Sequence, residues 1–155
     1  MTGIVIAPER PTGADLVLLH RRHTEAMHAD TPPESIHMLP ADALEAPGIA
    51  FLVMREGGRP LGMGAVARID EDHAEIKSMH VLAEERGRGL ARVLLGRLIA
   101  EAREAGYSRI SLETGSQATF APARALYERA GFRICGPFAA YVEDPNSVYM
   151  TLPLG

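Results

Sequence analysis

The stretch EERGRGLARVLLGRLIAEAREAG, residues 84–106, joins a short glycine-containing loop to about four turns of amphipathic helix. Its apolar residues recur at helical spacing, at Leu90, Leu94, Leu98 and Ala102. The preceding segment AEIKSMHVL (Ala74–Leu82) has the composition of a strand, so the helix starts directly after a strand. The first turn of such a helix has unpaired N–H groups and the positive end of the helix dipole, which together bind anions.

Two glycines in this loop favour a pyrophosphate as the bound anion. Gly87 and Gly89 carry no side chain that would keep a pyrophosphate from the helix amides, and Arg86 and Arg88 add positive charge. Two common nucleotide-binding motifs do not fit. The P-loop requires a lysine that is absent here, and the G-x-G-x-x-G motif requires glycine at the position of Arg92. The loop therefore predicts a pyrophosphate-bearing cofactor of another class.

Composition bounds the class of protein. The chain has 155 residues, 46% hydrophobic and 23% charged, as expected for a single domain over residues 1–155. A net charge of −4 gives no basic surface for nucleic acid. The apolar runs are shorter than the ~20 residues of a membrane span and no secretory signal starts the chain, so we expect a cytoplasmic protein without membrane binding. Cys135 is the only cysteine, and His20, His23 and His28 have no further ligands to complete a zinc site, so we predict no metal.

The rest of the chain alternates strand-like and helical segments. We predict a strand at Gly3–Ala7, a helix at Gly13–Ala29 and a hairpin over Ile49–Asp70. After residue 106 a strand at Arg109–Gly115 and a helix at Ala121–Ala130 are followed by two closing strands, GFRICGPF and SVYMTLPL. The order β-α-(loop or short helix)-β-β-β-α-β-α-β-β predicts an α/β fold with a mixed sheet and helices on its faces.

The pattern Arg-x-x-Gly-x-Ala at Arg86, Gly89 and Ala91 resembles the pyrophosphate loop of the GNAT superfamily of acetyl-CoA-dependent N-acetyltransferases. From Ala74 to Phe132 the chain is similar to the core of that superfamily in order: a strand, the loop EERGRGLA, its helix, the strand ISLETG and a helix ending in ALYERAGF. The resemblance implies a GNAT-like, mostly antiparallel central sheet with a splayed strand pair and helices on both faces. It also implies acetyl-CoA as the acetyl-donor co-substrate.

The resemblance also implies where acetyl-CoA binds. In the superfamily the loop amides hold the pyrophosphate, which implies the backbone of Arg86, Gly87, Arg88, Gly89, Leu90 and Ala91 here. The strand before the loop splays from its neighbour and pairs with the pantetheine arm, which implies Met79, His80 and Val81. A backbone N–H near Met79 or Val81 would then be free to stabilise the oxyanion. Phe120 departs from the pattern, because it stands where members often have an asparagine that contacts the cofactor.

The chemistry requires an acid, a base and oxyanion donors, because an amine attacks a thioester and a thiolate leaves. Tyr127 is the predicted acid, since a phenol is protonated at neutral pH. The segment Leu126–Phe132 matches the L-Y-x-x-x-G-F pattern of the superfamily, in which the tyrosine has this role. The alternative is that the ring of Tyr127 only packs beneath the sheet.

The sequence leaves the identity of the base open. Glu75 is the first candidate, because its spacing to Val81 and Arg86 is that of the catalytic glutamate in histone-type members of the superfamily. Lys77 lies on the same face of the strand, and an ion pair with Lys77 would make the role of Glu75 structural. Glu113 and His80 are the rival candidates, and a water relay can replace a direct side-chain base.

Two loops rich in proline and polar residues, His28–Pro40 and Tyr141–Ser147, are predicted to shape the acceptor pocket. The first follows the first helix, where superfamily members build that pocket. The predicted acceptor-binding residues of these loops and of the neighbouring strand are Glu34, Ser35, His37, Glu113, Asn146 and Ser147. The alternative for both loops is an inert surface turn.

The sequence is compatible with three functions. The favoured one is an N-acetyltransferase that acts on a small-molecule amine by direct attack in a ternary complex. The second is a protein or peptide N-acetyltransferase, which would need a through-groove rather than a closed cup. The third is a noncatalytic acyl-CoA-binding domain, against which Tyr127 argues. The oligomeric state is open as well, and a homodimer is compatible with the sequence.

Overall fold

The computed structural model describes residues 3–155, which form one sheet of seven strands and three α-helices. The strands are β1 (Ile4–Pro8), β2 (Ile49–Glu56), β3 (Arg59–Arg68), β4 (His73–Val81), β5 (Arg109–Gly115), β6 (Arg133–Cys135) and β7 (Ser147–Pro153). The helices are α1 (Val17–Asp30), α2 (Leu90–Glu104) and α3 (Ala121–Arg129). The predicted order of elements is confirmed, and short 3-10 turns at Pro33–Ser35 and Ala41–Leu44 occupy the segment predicted as loop or short helix.

The sheet is mixed and mostly antiparallel, as predicted. Its strands lie in the order β1-β2-β3-β4-β5-β7-β6, and only β4 and β5 are parallel. The last strand, β7, lies between β5 and β6. β6 is shorter than the predicted GFRICGPF segment, because Gly136 and Pro137 follow Cys135 and proline has no N–H to donate to a strand ladder.

Alternate residues of β2 pack against helices on opposite faces of the sheet. Leu52 and Met54 belong to the large apolar cluster that contains the α2 stripe. Phe51 and Val53 belong to a second cluster, with Leu19 of α1. Because side chains alternate along a strand, α1 covers one face, here called the α1 face, and α2 covers the opposite α2 face. Helix α3 contributes to the same cluster as α2 and therefore lies on the α2 face.

Helix α2 approaches the sheet closely because a glycine of β3 faces it. A Cβ atom at Gly64 would lie 2.7 Å from Cδ1 of Leu98. Any larger residue at Gly64 would therefore require the side chain of Leu98 to move within the packed core. The predicted apolar stripe of α2 is confirmed, since none of its four residues is more than 2% exposed. Among residues 3–155 no helix has both the length and the apolar character needed to cross a membrane.

The sheet opens between β4 and β5. These two strands pair over only three residues each, His73–Glu75 with Arg109–Ser111. Beyond Glu75, β4 continues to Val81 without a residue pair to β5. The predicted splayed strand pair is found here, and it leaves a gap in the middle of the sheet.

A β-bulge in β4 lies beside this gap. Ser78 and Met79 of β4 together oppose Gly64 of β3, because the pairing register shifts by one residue there. Ser78 has a φ of 55°, in the left-handed region that residues other than glycine rarely adopt. A bulge bends its strand and leaves the extra residue out of the hydrogen-bonded ladder. The bulge thus changes the direction of the second half of β4 at the point where the sheet opens.

Candidate active site

A cavity of about 790 Å³ occupies the gap between β4 and β5. Its wall is formed by both strands, the start of α2, helix α3, the end of α1 and the loop after α1. Tyr127 and Leu112 on this wall belong to the apolar cluster of the α2 face. His23 reaches the same wall from α1. The cavity therefore connects the two faces of the sheet.

The cavity gathers most of the residues predicted for the site. Those on its wall are Ser35, His37, Glu75, Met79, His80, Val81, Arg86, Gly87, Gly89, Leu90, Ala91, Glu113 and Tyr127. Those away from the wall are Glu34, Arg88, Asn146 and Ser147. Arg88, Asn146 and Ser147 make side-chain contacts away from the wall, and Glu34 is exposed.

The loop before α2 has the geometry expected of an anion site. Gly87 and Gly89 have φ values of 84° and 75°, which favour glycine, and Gly89 directly precedes the first residue of α2. Within residues 3–155, no heavy atom beyond the two adjacent residues lies within 4 Å of a Cβ placed at either glycine, so the approach to the first-turn amides is open. Arg86 and Arg92 stand on the same wall. These residues fit a pyrophosphate group by amide donors, dipole and charge.

The side chain of Arg88 does not add its charge to this anion site. Its guanidinium forms ion pairs with Glu56 at 2.8 Å and with Glu85 at 2.6 Å. Glu85 also pairs with Arg59 at 2.9 Å. The expectation that the Arg88 side chain contributes positive charge next to the glycines is therefore corrected: this side chain fixes the loop against the β2–β3 hairpin. The backbone of Arg88 remains part of the loop.

Tyr127 lies on α3 with its side chain on the cavity wall. The residue is 9% exposed, and its ring packs edge-on against Phe132 with centroids 5.9 Å apart. Burial and, to a smaller extent, the nearby charge of Glu113 raise the pKa of Tyr127 to about 12. The phenol therefore carries its proton at neutral pH, as a general acid must. Packing and acid roles are compatible here, because the ring is buried while the residue borders the cavity.

Glu75 is held by two neighbours on the α1 face. Its Oε2 accepts hydrogen bonds from Lys77 Nζ, at 3.2 Å, and from the hydroxyl of Tyr141. Lys77 also donates to Tyr141 Oη at 3.0 Å. The side chains of Glu75 and Lys77 are only 9% and 13% exposed. The Glu75–Lys77 ion pair that the sequence allowed is thus present, and it engages one carboxylate oxygen of Glu75.

Glu113 is the second carboxylate on the cavity wall. Its Oε2 accepts a hydrogen bond from Ser147 Oγ at 2.9 Å. Burial raises the pKa of Glu113, and the charge of Glu75 raises it further. The hydrogen bond from Ser147 and the charges of His37 and Lys77 lower this pKa, each by less than burial raises it. Ser147 therefore reaches the site indirectly, through the carboxylate that it orients.

The two predicted acceptor loops contact each other. Ser35 Oγ donates to Asp144 Oδ2 at 2.5 Å, and Asn146 Nδ2 donates to Ser35 Oγ at 3.4 Å. Gln117 Nε2 donates to Asn146 Oδ1 at 3.2 Å, which joins the second loop to the segment after β5. Glu34 is exposed at the surface and lies off the cavity wall. Ser35 and Asn146 thus fasten the two loops together above the α1 face.

Two histidines of α1 are accounted for by packing. His20 hydrogen-bonds through Nε2 to the carbonyl of Pro11 at 2.9 Å and stacks on Phe51. His23 faces His80 of β4, with ring centroids 5.4 Å apart. His80 borders the cavity next to the bulge, so this imidazole pair joins α1 to the wall of the site.

Tyr141 was not among the residues predicted for the site. It is the first residue of the Tyr141–Ser147 loop that the sequence singled out, and it lies on the cavity wall. The available signal was an aromatic residue at the start of an otherwise polar, turn-forming stretch. Its partners, Glu75 and Lys77, are more than 60 residues away in sequence, with separations of 66 and 64. Sequence periodicity cannot reveal contacts of that range.

Comparison with known proteins shows the family to which the chain belongs. Residues 16–132 match the acetyltransferase (GNAT) family. The chain is 48% identical over 143 residues to the uncharacterized N-acetyltransferase YsnE of Bacillus subtilis, covering 92% of this chain and 95% of that one. It is 41% identical over 157 residues to the IAA acetyltransferase of Azospirillum brasilense, covering 99% and 100%.

Solved structures give the same result for the fold. A Klebsiella pneumoniae protein assigned as an acyl-CoA N-acyltransferase superposes with a TM-score of 0.80 at 30% identity, covering 98% of both chains. Two further structures of this fold were solved with acetyl-CoA. The fold and the site define an acyl-CoA-dependent acyltransferase. The chain belongs to the GNAT family of N-acetyltransferases, which use acetyl-CoA as the acetyl donor.

Proposed function

We propose that this protein transfers the acetyl group of acetyl-CoA to the amine of a small molecule by direct attack while both substrates are bound. The supporting observation is the cavity that passes through the sheet. It brings the anion-binding start of α2 and Tyr127 to one side of the gap and Glu113 and Glu75 to the other. A donor held by its pyrophosphate at α2 and an acceptor on the α1 face would therefore meet at the bulge of β4.

The loop before α2 would hold the donor. The amides of the first turn of α2 would bind the pyrophosphate, with Arg86 and Arg92 beside it. Met79, His80 and Val81 would line the pantetheine arm, because this part of β4 has no residue pair to β5 and its edge faces the gap. Acetyl-CoA supplies the thioester whose carbonyl carbon the amine attacks. The N–H of Met79, at the bulge, would donate to the developing oxyanion.

Tyr127 would supply the proton that the leaving thiolate requires. With its pKa raised to about 12, it stays protonated through the neutral range and returns to that state easily after each turnover. The hydroxyl belongs to a buried residue on the α2 face, the side from which the donor would enter in this proposal. This placement supports an acid role toward the donor rather than a base role toward the acceptor.

Glu113 is the better placed of the two carboxylates to receive the proton of the amine, directly or through a water molecule. A base needs a free oxygen and a pKa closer to neutrality than that of an ordinary carboxylate. Glu113 has the raised pKa, whereas Glu75 is engaged by Lys77 and Tyr141. We therefore propose Glu113 as the base and Glu75 as a residue whose charge helps to raise the pKa of Glu113.

Two observations favour a small acceptor over the alternatives. Hydrogen bonds among Ser35, Asp144 and Asn146 join the loops of residues 31–39 and 136–146 over the α1 face. Such a cover favours a closed pocket over the open groove that a peptide needs. A purely acyl-CoA-binding domain would have no use for Tyr127 and Glu113 on the same cavity wall. One relative is named IAA acetyltransferase, so IAA belongs among the acceptors to be tested.

The test is an acetyl-CoA assay that measures release of the CoA thiol with a panel of small amines, IAA and peptides with free N-termini or lysines. Saturable release with a small amine, and intersecting double-reciprocal lines for the two substrates, would support the proposal. Release with peptides alone would favour the protein-modifying alternative. Tight CoA binding with no release on any acceptor would favour a binding domain, and failure to bind CoA at all would contradict the donor site.

A further inference from the structure

Tyr141 connects the two halves of the sheet across the gap. It belongs to the connection between β6 and β7, on one side of the gap, and its hydroxyl contacts Glu75 and Lys77 of β4 on the other side. Glu75 is also the last residue of β4 that pairs with β5. The hydroxyl of Tyr141 therefore bridges the strands where they begin to separate, on the α1 face where an acceptor would enter.

The ring of Tyr141 packs against three aromatic side chains. His37 and Phe138 pack against it edge-on, each with a centroid distance of 5.0 Å, and Tyr149 lies at 5.5 Å. Tyr149 in turn donates through its hydroxyl to the carbonyl of Val142 at 2.6 Å, which fixes the backbone next to Tyr141. Burial and the charge of Glu75 raise the pKa of Tyr141, so its hydroxyl remains a neutral donor over the physiological range.

Displacing this ring would leave a buried ion pair with fewer partners. Glu75 and Lys77 are almost fully enclosed, and each loses a hydrogen bond if Tyr141 swings out. Removing one partner of a buried polar network is costly, because the remaining groups are left unsatisfied away from water. His37, on the other loop, would also lose its contact with the ring. An acceptor that needs the ring to move is therefore disfavoured relative to one that fits beneath it.

We infer that Tyr141 is a specificity-determining residue that limits the length of the acceptor: amines that end within the cavity bind, and chains that continue outward, such as peptides, are excluded. This inference rests on the proposed function, because it concerns the acceptor side of the same cavity. The ring forms the barrier, and the hydroxyl bonds to Glu75 and Lys77 anchor it. Specificity here arises from a penalty on the wrong ligand rather than from extra contacts to the right one.

The experiment uses two conjugates in which the CoA sulfur is joined through a –CH2–CO– group to the nitrogen of an acceptor. In the short conjugate the acceptor is butylamine, and in the long one it is the N-terminus of a peptide. Their dissociation constants are measured by calorimetry, so the result does not depend on turnover. We expect the wild-type protein to bind the short conjugate ~100-fold more tightly than the long one, and Tyr141→Ala to reduce this ratio to ~10 or less.

Matched variants distinguish the loss of the Tyr141 barrier from a general loss of protein structure. Tyr141→Phe keeps the ring and its aromatic neighbours, so it should retain most of the discrimination. Val142→Ala changes an exposed residue of the same loop (73% exposed) and should bind both conjugates as the wild type does. CoA alone serves as the folding control for every variant, and Tyr141→Leu replaces Tyr141→Ala if the latter fails to bind CoA.

The outcomes distinguish this inference from the proposed function. Equal affinity of the wild-type protein for the two conjugates would overturn the inference while leaving the proposed reaction intact. Unchanged discrimination in a Tyr141→Ala or Tyr141→Leu protein that binds CoA normally would also overturn it. Failure of the wild-type protein to bind CoA would instead contradict the proposed function at its donor site. Binding of CoA but of neither conjugate would overturn the acceptor site on which both proposals depend.

Discussion

His23 of α1 and His80 of β4 face each other with ring centroids 5.4 Å apart and planes tilted by 56°. His23 is 7% exposed, and its Nδ1 has no hydrogen-bond partner among residues 3–155. Burial lowers the pKa of His23 to about 3, with smaller effects from His80 and His20. Burial also lowers the pKa of His80 to about 4, assisted by Arg86 and Arg22 and opposed by Glu84. The α1–β4 contact therefore requires both imidazoles to be neutral.

This contact predicts that the protein loses stability in mild acid. In the unfolded chain both imidazoles return to the ordinary pKa near 6.5, so between that pH and about pH 4 the unfolded state binds more protons than the folded state. The free energy of unfolding therefore decreases as the pH falls through this window, by on the order of 2 kcal/mol for each imidazole. Urea unfolding at a series of pH values measures the effect.

A variant of His23 isolates the histidine contribution from that of the carboxylates. His23→Leu has similar bulk and removes the unpartnered Nδ1, so its stability at pH 7.5 should equal or exceed that of the wild type. Its loss of stability between pH 6.5 and pH 4 should be smaller than that of the wild type by about 2 kcal/mol, the contribution of one imidazole. The matched control is His28→Leu on the exposed side of α1, which should leave the pH dependence unchanged. A His23→Leu profile parallel to that of the wild type would contradict the assignment.

The loop before α2 predicts that Gly89→Asp abolishes CoA binding. The glycine has a φ of 75°, which aspartate adopts only with strain, and a carboxylate there would repel a pyrophosphate at the first-turn amides. Calorimetric titration with CoA provides the measurement. Gly96→Asp is the matched control, because Gly96 is an exposed residue of the same helix, two turns further on, with no atom within 4 Å of its Cβ position. Equal CoA affinity in both variants would remove the loop from the donor site.

Tyr127→Phe tests the proposed acid. The substitution keeps the ring in the apolar cluster and its edge-on contact with Phe132, and it deletes only the hydroxyl. We expect kcat to fall by ~10–1000-fold with little change in the affinity for acetyl-CoA, provided that protonation of the thiolate limits the rate. Steady-state kinetics together with CoA calorimetry separate the two effects. An unchanged kcat would reduce Tyr127 to a packing residue.

The parts of the fold that local chemistry dictates could be predicted from the sequence. The spacing of Leu90, Leu94, Leu98 and Ala102 predicted the buried stripe of α2, and Gly87 and Gly89 predicted the loop before it, where both adopt positive φ. The sequence could not show that β7 lies between β5 and β6, because strand order depends on pairings between distant segments. It could not show the bulge at Ser78 either, since a serine in the left-handed region has no local sequence signal.

The candidate site also has features that the sequence predicts and features that it does not. Residues predicted from the backbone of one loop or one strand, such as Gly89 and Met79, do lie on the cavity wall. Side-chain pairing was harder to foresee. The guanidinium of Arg88 turns toward Glu56 and Glu85, and Tyr141 reaches Glu75 across the gap, because ion pairs and hydrogen bonds form between elements that only the folded chain brings together.

The identity of the base is predicted to appear in the pH dependence of kcat. A base acts only when deprotonated, so kcat rises with pH through the pKa of that group in the ternary complex. Because burial raises the pKa of Glu113, the acidic limb of the wild-type profile should lie above the ordinary carboxyl range. Glu113→Gln should lower kcat by ~100-fold or more and remove this limb, since amide nitrogen and oxygen cannot accept the proton.

Glu75→Gln provides the paired test, because it removes a carboxylate of the same wall without removing Glu113. The charge of Glu75 raises the pKa of Glu113, whereas Lys77 lowers it. Loss of the Glu75 charge, with Lys77 left unpaired, should therefore shift the acidic limb to lower pH while activity above that limb is largely retained. The opposite pattern, in which Glu75→Gln abolishes turnover and Glu113→Gln preserves both kcat and the limb, would make Glu75 the base, as its spacing to Val81 and Arg86 suggested.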